Sequence, residues 1–293
     1  MGKKKIEVIK SHTLVETSDK NIFRLANRKG DWKMYYDKKA DKYMWAVSHI
    51  LDVGYNKGIG FVIWLLSKTS EEAKQILEET GNRGTRVHMA VANLVIGNSV
   101  KLDDVYIDRI TGHGRKLTDE EWGFIRSFAQ FVEDYKPISI SLEQTISSTK
   151  KGCAGTYDWI CTIELTAKVG IGKNAKIKKR RVRVLLDFKT SSAIHDAYNM
   201  QLGAYWDILR ERKQASGLHT AVLRLGTKHK CGYEFKLWTP KQTAYHVKVF
   251  NAIKVIHMFK EGPPEPTIKE FPAEIKVDIP TVKKITKTKK KTK

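Results

Sequence analysis

Val182-Arg183-Val184-Leu185-Leu186-Asp187-Phe188-Lys189 is the stretch on which the reading of this 293-residue chain turns. Its apolar positions follow one another with little alternation, which predicts a strand buried within a sheet. Residues two apart on a strand share a face, so Asp187 and Lys189 end this strand side by side. Two strands are predicted ahead of it. Ile138–Thr145 carries Glu143, and Thr156–Leu165 carries Asp158 just after Gly155-Thr156-Tyr157. The third strand is expected over Arg181–Phe188, with Lys189 at its end. Residues 168–183 hold eight lysines and arginines and no acid, which predicts a hairpin whose tip projects positive charge. Lys178, Lys179, Arg180 and Arg181 belong to it, either as a solvated face or as phosphate-backbone contacts.

Farther out, residues 21–51 alternate short apolar stretches with turns, the pattern of an antiparallel meander. Thr69-Ser70-Glu71-Glu72 is a capping box opening a helix to about Thr80. Gly81–Gly84 reads as a turn, with a second helix from Thr85 to Ile96. Thr118–Glu121 is another capping box, and the helix after it aligns Trp122, Ile125, Phe128 and Val132. A helix over about Ala193–Lys213 is followed by strands His219–Leu225 and Tyr233–Trp238. Thr239-Pro240 then opens a helix ending near Glu261. The chain divides into a basic segment (1–20), one domain (21–262) and a proline-punctuated, lysine-rich tail (263–293) with a disordered end. The fold class is α/β, a central mixed sheet flanked by helices with an N-terminal β/helical elaboration.

The formal net charge is +22, and the lysines at 3–5 and in 283–293 account for ten of it. The remainder is still basic, which favours a polyanionic partner, most simply nucleic acid, over a merely solvated surface. Three cysteines, Cys153, Cys161 and Cys231, offer neither a disulfide framework nor a metal clip and fit a reducing compartment. Met1–Glu7 lacks the apolar core of a signal peptide, and the run Phe61–Leu66 is too short to span a bilayer. The expectation is a cytoplasmic protein of a bacterium or a phage-infected host, with no membrane partner.

Paired aspartates such as Asp158 and Asp187 can hold a hard divalent cation through oxygen ligands, with the Phe188 carbonyl as a further donor. Such a cation polarises a phosphoryl oxygen and acidifies bound water. A lysine beside it, Lys189, can orient or deprotonate that water and offset growing charge. An Asp-x-Lys alone fits a salt bridge equally well, so the weight lies in the ordered set.

That set is Gly84-Thr85-Arg86-Val87-His88, Glu143, Gly155–Asp158, Leu186–Thr190 and Gln201-Leu202-Gly203-Ala204-Tyr205. It resembles the successive motifs of the PD-(D/E)XK nuclease superfamily, in the RecB-like branch that includes phage exonucleases and the mitochondrial genome-maintenance exonuclease. The resemblance covers about residues 44–260, with the catalytic core over 84–260. It implies a restriction-endonuclease-like core and a Mg²⁺- or Mn²⁺-dependent DNA exonuclease with one or two ions, acting at DNA ends in replication, recombination or repair. Asp158 and Asp187 would be metal ligands, Lys189 the catalytic lysine, and His88 a further ligand or a water-orienting group, or else a core histidine on the Val87, Val91 and Leu94 side of its helix. Glu143 would lie near the metal or pair with the basic hairpin. Gln201 and Tyr205, four apart on one helix face, would help hold the lysine and the DNA strand, or Tyr205 would pack with Tyr198, Leu202 and Leu209. Thr190 and Ser191 would donate to a phosphate or cap the next helix. Relatives with an iron–sulfur cluster carry four cysteines, so no such cluster is expected here. No Walker A pattern occurs, which implies work alongside a separate helicase or strand-annealing protein. A structure-specific or nicking endonuclease, and a non-catalytic DNA-binding protein on the same core, are the other readings.

Overall fold

The computed structural model describes residues 8–10, 12–27, 33–55, 58–107, 112–169, 176–226, 232–266, 268, 270–272 and 274–276. The first part forms β1 (Val8–Lys10), β2 (His12–Glu16), β3 (Ile22–Asn27), β4 (Met34–Asp37) and β5 (Lys42–Ala46). Three helices follow: α1 (Val47–Gly54), α2 (Ile59–Leu66) and α3 (Ser70–Val95). A small hairpin, β6 (Val105–Ile107) and β7 (Gly114–Lys116), leads into α4 (Asp119–Tyr135). Three long strands come next: β8 (Ile138–Ser148), β9 (Cys153–Val169) and β10 (Lys176–Lys189). The chain continues with α5 (Asp196–Glu211), β11 (Leu218–Leu225), β12 (Tyr233–Trp238), α6 (Pro240–Glu261) and β13 (Glu270–Pro272).

Nine strands form one mixed sheet in the order β12-β11-β10-β9-β5-β4-β3-β2, with β8 also paired to β9. β10 and β11 are parallel and joined through α5, a crossover that parallel strands need. β5 runs parallel to the start of β9, so the N-terminal meander is welded into the main sheet at Cys153 and Ala154. The protein is therefore α/β, with a large mixed sheet flanked by helices.

The inner half of β10 alternates between two cores. Val184, Leu186 and Phe188 pack with Val87 and Val91 of α3 and Phe124, Phe128 and Phe131 of α4. Leu185 faces the opposite way, into a core shared with Ile50, Leu202, Tyr205, Ile208 and Phe250. With both faces covered, only the end of the strand can present polar groups, and Asp187 and Lys189 stand there.

Several expected elements come out differently. α3 is a single helix of 26 residues, without a turn at Gly81–Gly84. Helices tolerate glycine at a modest cost, and Gly84 turns its bare side toward Thr190, whose Oγ1 lies 3.5 Å from an ideal Cβ position. The capping box at Thr69 and Glu72 is formed as expected, as are those at Thr118 and Thr239. On α4 the buried face is Phe124, Phe128 and Phe131, with Ile125 toward a smaller core beside Trp122; Val132 is 37% exposed. The three central strands exceed their expected lengths, and α5 is shorter at both ends than the predicted helix. Segments predicted as a basic leader and a tail contribute strands: β2 joins the sheet, and β1 pairs with β13. Among the described residues no helix is long and apolar enough to cross a membrane. The run at 59–66 forms α2, which buries no residue. Cys231, the tip of the basic hairpin at 170–175 and residues 277–293 lie outside the described residues.

Candidate active site

The paired register of β9 and β10 ends at Leu186 opposite Trp159, so Asp158 and Asp187 come next across the two strands. The Phe188 amide donates to Asp158 Oδ2 at 2.7 Å, fixing that carboxylate against the strand end. Lys189 Nζ lies 2.6 Å from Asp187 Oδ2 and 4.7 Å from the centre of the Tyr198 ring, which α5 supplies. That carboxylate oxygen is buried against the lysine, its ion-pair partner.

From the other helix layer, α3 brings His88. Its Nε2 lies 3.1 Å from the Phe188 carbonyl, so Nε2 must donate. Burial first, and the charge of Lys189 second, lower the His88 pKa to about 4, leaving the ring neutral near pH 7. Nδ1 is then an acceptor, 3.7 Å from Asp158 Oδ1, itself an acceptor. Two lone pairs facing each other across that gap call for a proton, a water or a cation between them.

His88, Glu143, Asp158, Phe188, Lys189, Thr190 and Ser191 line one cleft of about 740 Å³. Asp187 is 3% exposed, covered beside the lysine it pairs with. Burial raises both carboxyls to about 6, against the lowering effect of Lys189. For Lys189, burial pulls the pKa down, but the nearby Asp187 and Asp158 outweigh it and raise the value. Lys189 is therefore an ammonium in this arrangement, suited to neutralising charge or giving a proton rather than to taking one.

Glu143 sits on β8 with a left-handed φ of 48°, at a strand otherwise paired to β9. Glutamate adopts that conformation only at a cost. Its exposed carboxylate lines the cleft. Tyr205 is buried at 4% and accepts from Gln201 Nε2 at 3.2 Å. A Cβ at position 155 would fall 2.5 Å from the Tyr205 ring, so Gly155 is needed for this close approach. Tyr205 belongs to the core and Gln201 is held to it, and neither lines the cleft. Ser191 donates to the Ala193 carbonyl, and the cap residue of α5 is His195, so neither Thr190 nor Ser191 caps that helix.

Lys178, Lys179, Arg180 and Arg181 are not part of this cluster. They lie eight to eleven residues back along β10, roughly 26–36 Å from Lys189 at strand rise. Conversely, Arg24 of β3 lines the cleft although nothing in its sequence context marks it. It donates to Tyr35 Oη at 3.1 Å and to Thr156 Oγ1 at 2.9 Å. Thr156 in turn shares a 2.9 Å hydrogen bond with Thr145, and the Thr145 amide donates to Ser18 Oγ at 2.6 Å. Only pairing of the meander with β9 could have revealed this wall, and that is a long-range contact.

The donor set suits a hard divalent cation in kind. A buried carboxylate, Asp187, and a half-buried one, Asp158, face one lysine, which leaves excess negative charge and the acceptor pair of His88 and Asp158. As the side chains stand, no three of His, Cys, Asp and Glu converge as a ligand group among the described residues. Lys189 occupies Asp187, the Phe188 amide occupies Asp158 Oδ2, and His88 occupies the Phe188 carbonyl. A cation held by Asp158, Asp187 and the Phe188 carbonyl requires Lys189 to turn aside. No protein-family model matches this sequence, and no curated protein matches it.

Proposed function

We propose that the protein is a Mg²⁺- or Mn²⁺-dependent deoxyribonuclease on a PD-(D/E)XK core of the RecB-like branch, an exonuclease that hydrolyses phosphodiester bonds at DNA ends. The observation that carries this reading is that His88, Asp158 and Lys189 line one cleft at a strand end, with Asp187 buried behind the lysine it pairs with. The motif order and the basic chain support it. When bound, the divalent cation polarises the scissile phosphate and acidifies an attacking water. The chain's own groups do the rest. Asp158 and Asp187 supply the negative charge that holds the cation. Lys189, protonated and braced on Tyr198, offsets charge building on the phosphate oxygens. His88, through the lone pair at Nδ1, orients water beside Asp158. Arg24 and the hydroxyls of Thr145 and Thr156 present donors along the opposite wall.

The test is digestion of end-labelled linear single-stranded, linear duplex and closed circular DNA with Mg²⁺, Mn²⁺ or EDTA. Metal-dependent loss of the linear forms alone, reduced about 10²–10⁴-fold by Lys189→Ala, is the expected result. Cutting of the circle makes the protein an endonuclease. Binding without any cleavage makes it a non-catalytic DNA-binding protein.

A further inference from the structure

The hairpin of β9 and β10 is longer than the sheet that carries it. β11 pairs with β10 only from Arg183 onward, and β8 pairs with β9 only as far as Thr162. Beyond those points Ile163–Val169 and Lys176–Val182 pair solely with each other among the described strands, a two-stranded ribbon whose base, at the fully buried Ile163, is set in the core. Such a ribbon is marginal by itself, but its base is fastened. Leu165 and Val182 pack against the α3/α4 core, Lys179 pairs with Glu164 at 2.8 Å, and Arg181 donates to the Lys136 carbonyl at 3.1 Å.

Lys178 and Arg180 are exposed and, two apart on a strand, share a face. Neither forms an ion pair among the described residues. Residues 163–182 contain seven lysines and arginines, one acid and no aromatic residue. Proteins that hold single strands rely on aromatic platforms on which bases stack. A slender basic ribbon without them instead matches the groove and phosphates of a double helix, whose major groove admits a two-stranded β-ribbon. At strand rise, Arg180 and Lys178 stand about 30 and about 36 Å from Lys189. That equals about 9–11 base pairs at 3.4 Å each.

We propose that the ribbon is a duplex-gripping arm, with Lys178 and Arg180 holding phosphates of double-stranded nucleic acid roughly one helical turn from the bond that is cut. The nuclease reading enters only in naming DNA as the polyanion. The experiment is equilibrium binding of the full chain, in EDTA, to duplexes of about 8 and about 16 base pairs and to single strands of matching length. It is run across a salt series for the wild type and for Lys178→Ala/Arg180→Ala. The longer duplex should bind the wild type about tenfold more tightly than the shorter. The double variant should lose that gain, and its salt slope on the long duplex should fall by about 2. Equal length profiles for the two proteins overturn the proposal, and so does an equal loss on single strands. Cleavage of the short duplex with Mn²⁺ reads the active site alone and should be the same for both proteins. Failure to cleave together with an intact length step sinks the nuclease reading and leaves the arm standing. Cleavage without the step does the reverse.

Discussion

The two ends of the β9–β10 hairpin are made from the same pair of strands and are opposites in every physical respect. The inner end is covered by helices on both faces, and its few polar groups are forced onto one another: Asp187 on Lys189, Asp158 on the Phe188 amide. The outer end is uncovered, and Lys178, Lys179, Arg180 and Arg181 stand in solvent. Charge at the outer end is screened and changes stability little. At the inner end burial raises the Asp158 and Asp187 carboxyls to about 6, against the pull of Lys189, and the same kinds of charge set what the site can bind. A run of charge on a strand thus has no fixed meaning; the layers packed on it decide whether it is chemistry or solvation.

Removing the support of the inner end should have the largest effect on stability. Arg86, two residues before His88 on α3, is 1% exposed and pairs with the fully buried Glu121 at 2.7 Å and with Glu79 at 2.8 Å. Arg86→Ala strands a buried carboxylate, and denaturant unfolding should show a loss of about 3–5 kcal/mol. The matching cut at the outer end, Lys178→Ala, should change stability by less than about 0.5 kcal/mol. Similar losses at the two ends would erase the distinction.

The pH dependence sharpens it further. Asp158 and Asp187, both raised to about 6 chiefly by burial, must be ionised to hold a cation. Hydrolysis should therefore fall about tenfold or more per unit below pH 6, read from the pH–rate profile. For stability the sign is opposite. A carboxyl whose folded pKa exceeds its unfolded value near 3.9 keeps its proton longer when folded, so the pair favours folding at low pH. That contribution is lost as pH rises from about 4 through 6. His88, lowered to about 4, acts the other way over the same range and offsets part of the fall.

A smaller effect than that of Arg86 concerns Glu143. Its left-handed φ of 48° is strained for glutamate and free for glycine. Glu143→Gly should raise stability by about 1 kcal/mol in thermal unfolding while lowering activity, because the carboxylate faces the cleft. A stabilised variant with full activity removes Glu143 from the site.

Much of this arrangement was legible in the sequence, because it depends on local rules. An apolar run ending in Asp187 and Lys189 could only be a buried strand with a polar tip, and the capping boxes at Thr69, Thr118 and Thr239 mark helix starts through bonds three residues long. What could not be read depends on distant contacts. Gly81 and Gly84 look like a turn until α3 is packed across the cleft. On α4 the expected face holds at Ile125 and Phe128, with Trp122 packed beside Ile125, but Val132 is exposed and Phe124 and Phe131 are buried instead, a choice that only the sheet makes. Arg24 enters the cleft because β5 pairs with β9, a contact more than a hundred residues apart that no local pattern encodes.

The most direct test of the central claim is calorimetric titration of the full chain with Mn²⁺ near pH 6, in buffers of differing ionisation enthalpy, beside Asp158→Asn/Asp187→Asn. Saturable binding by the wild type with release of protons, abolished in the double variant while its fold is retained, is the predicted result. Absence of binding, or equal binding by the variant, would contradict the assignment of these two carboxylates as a cation site.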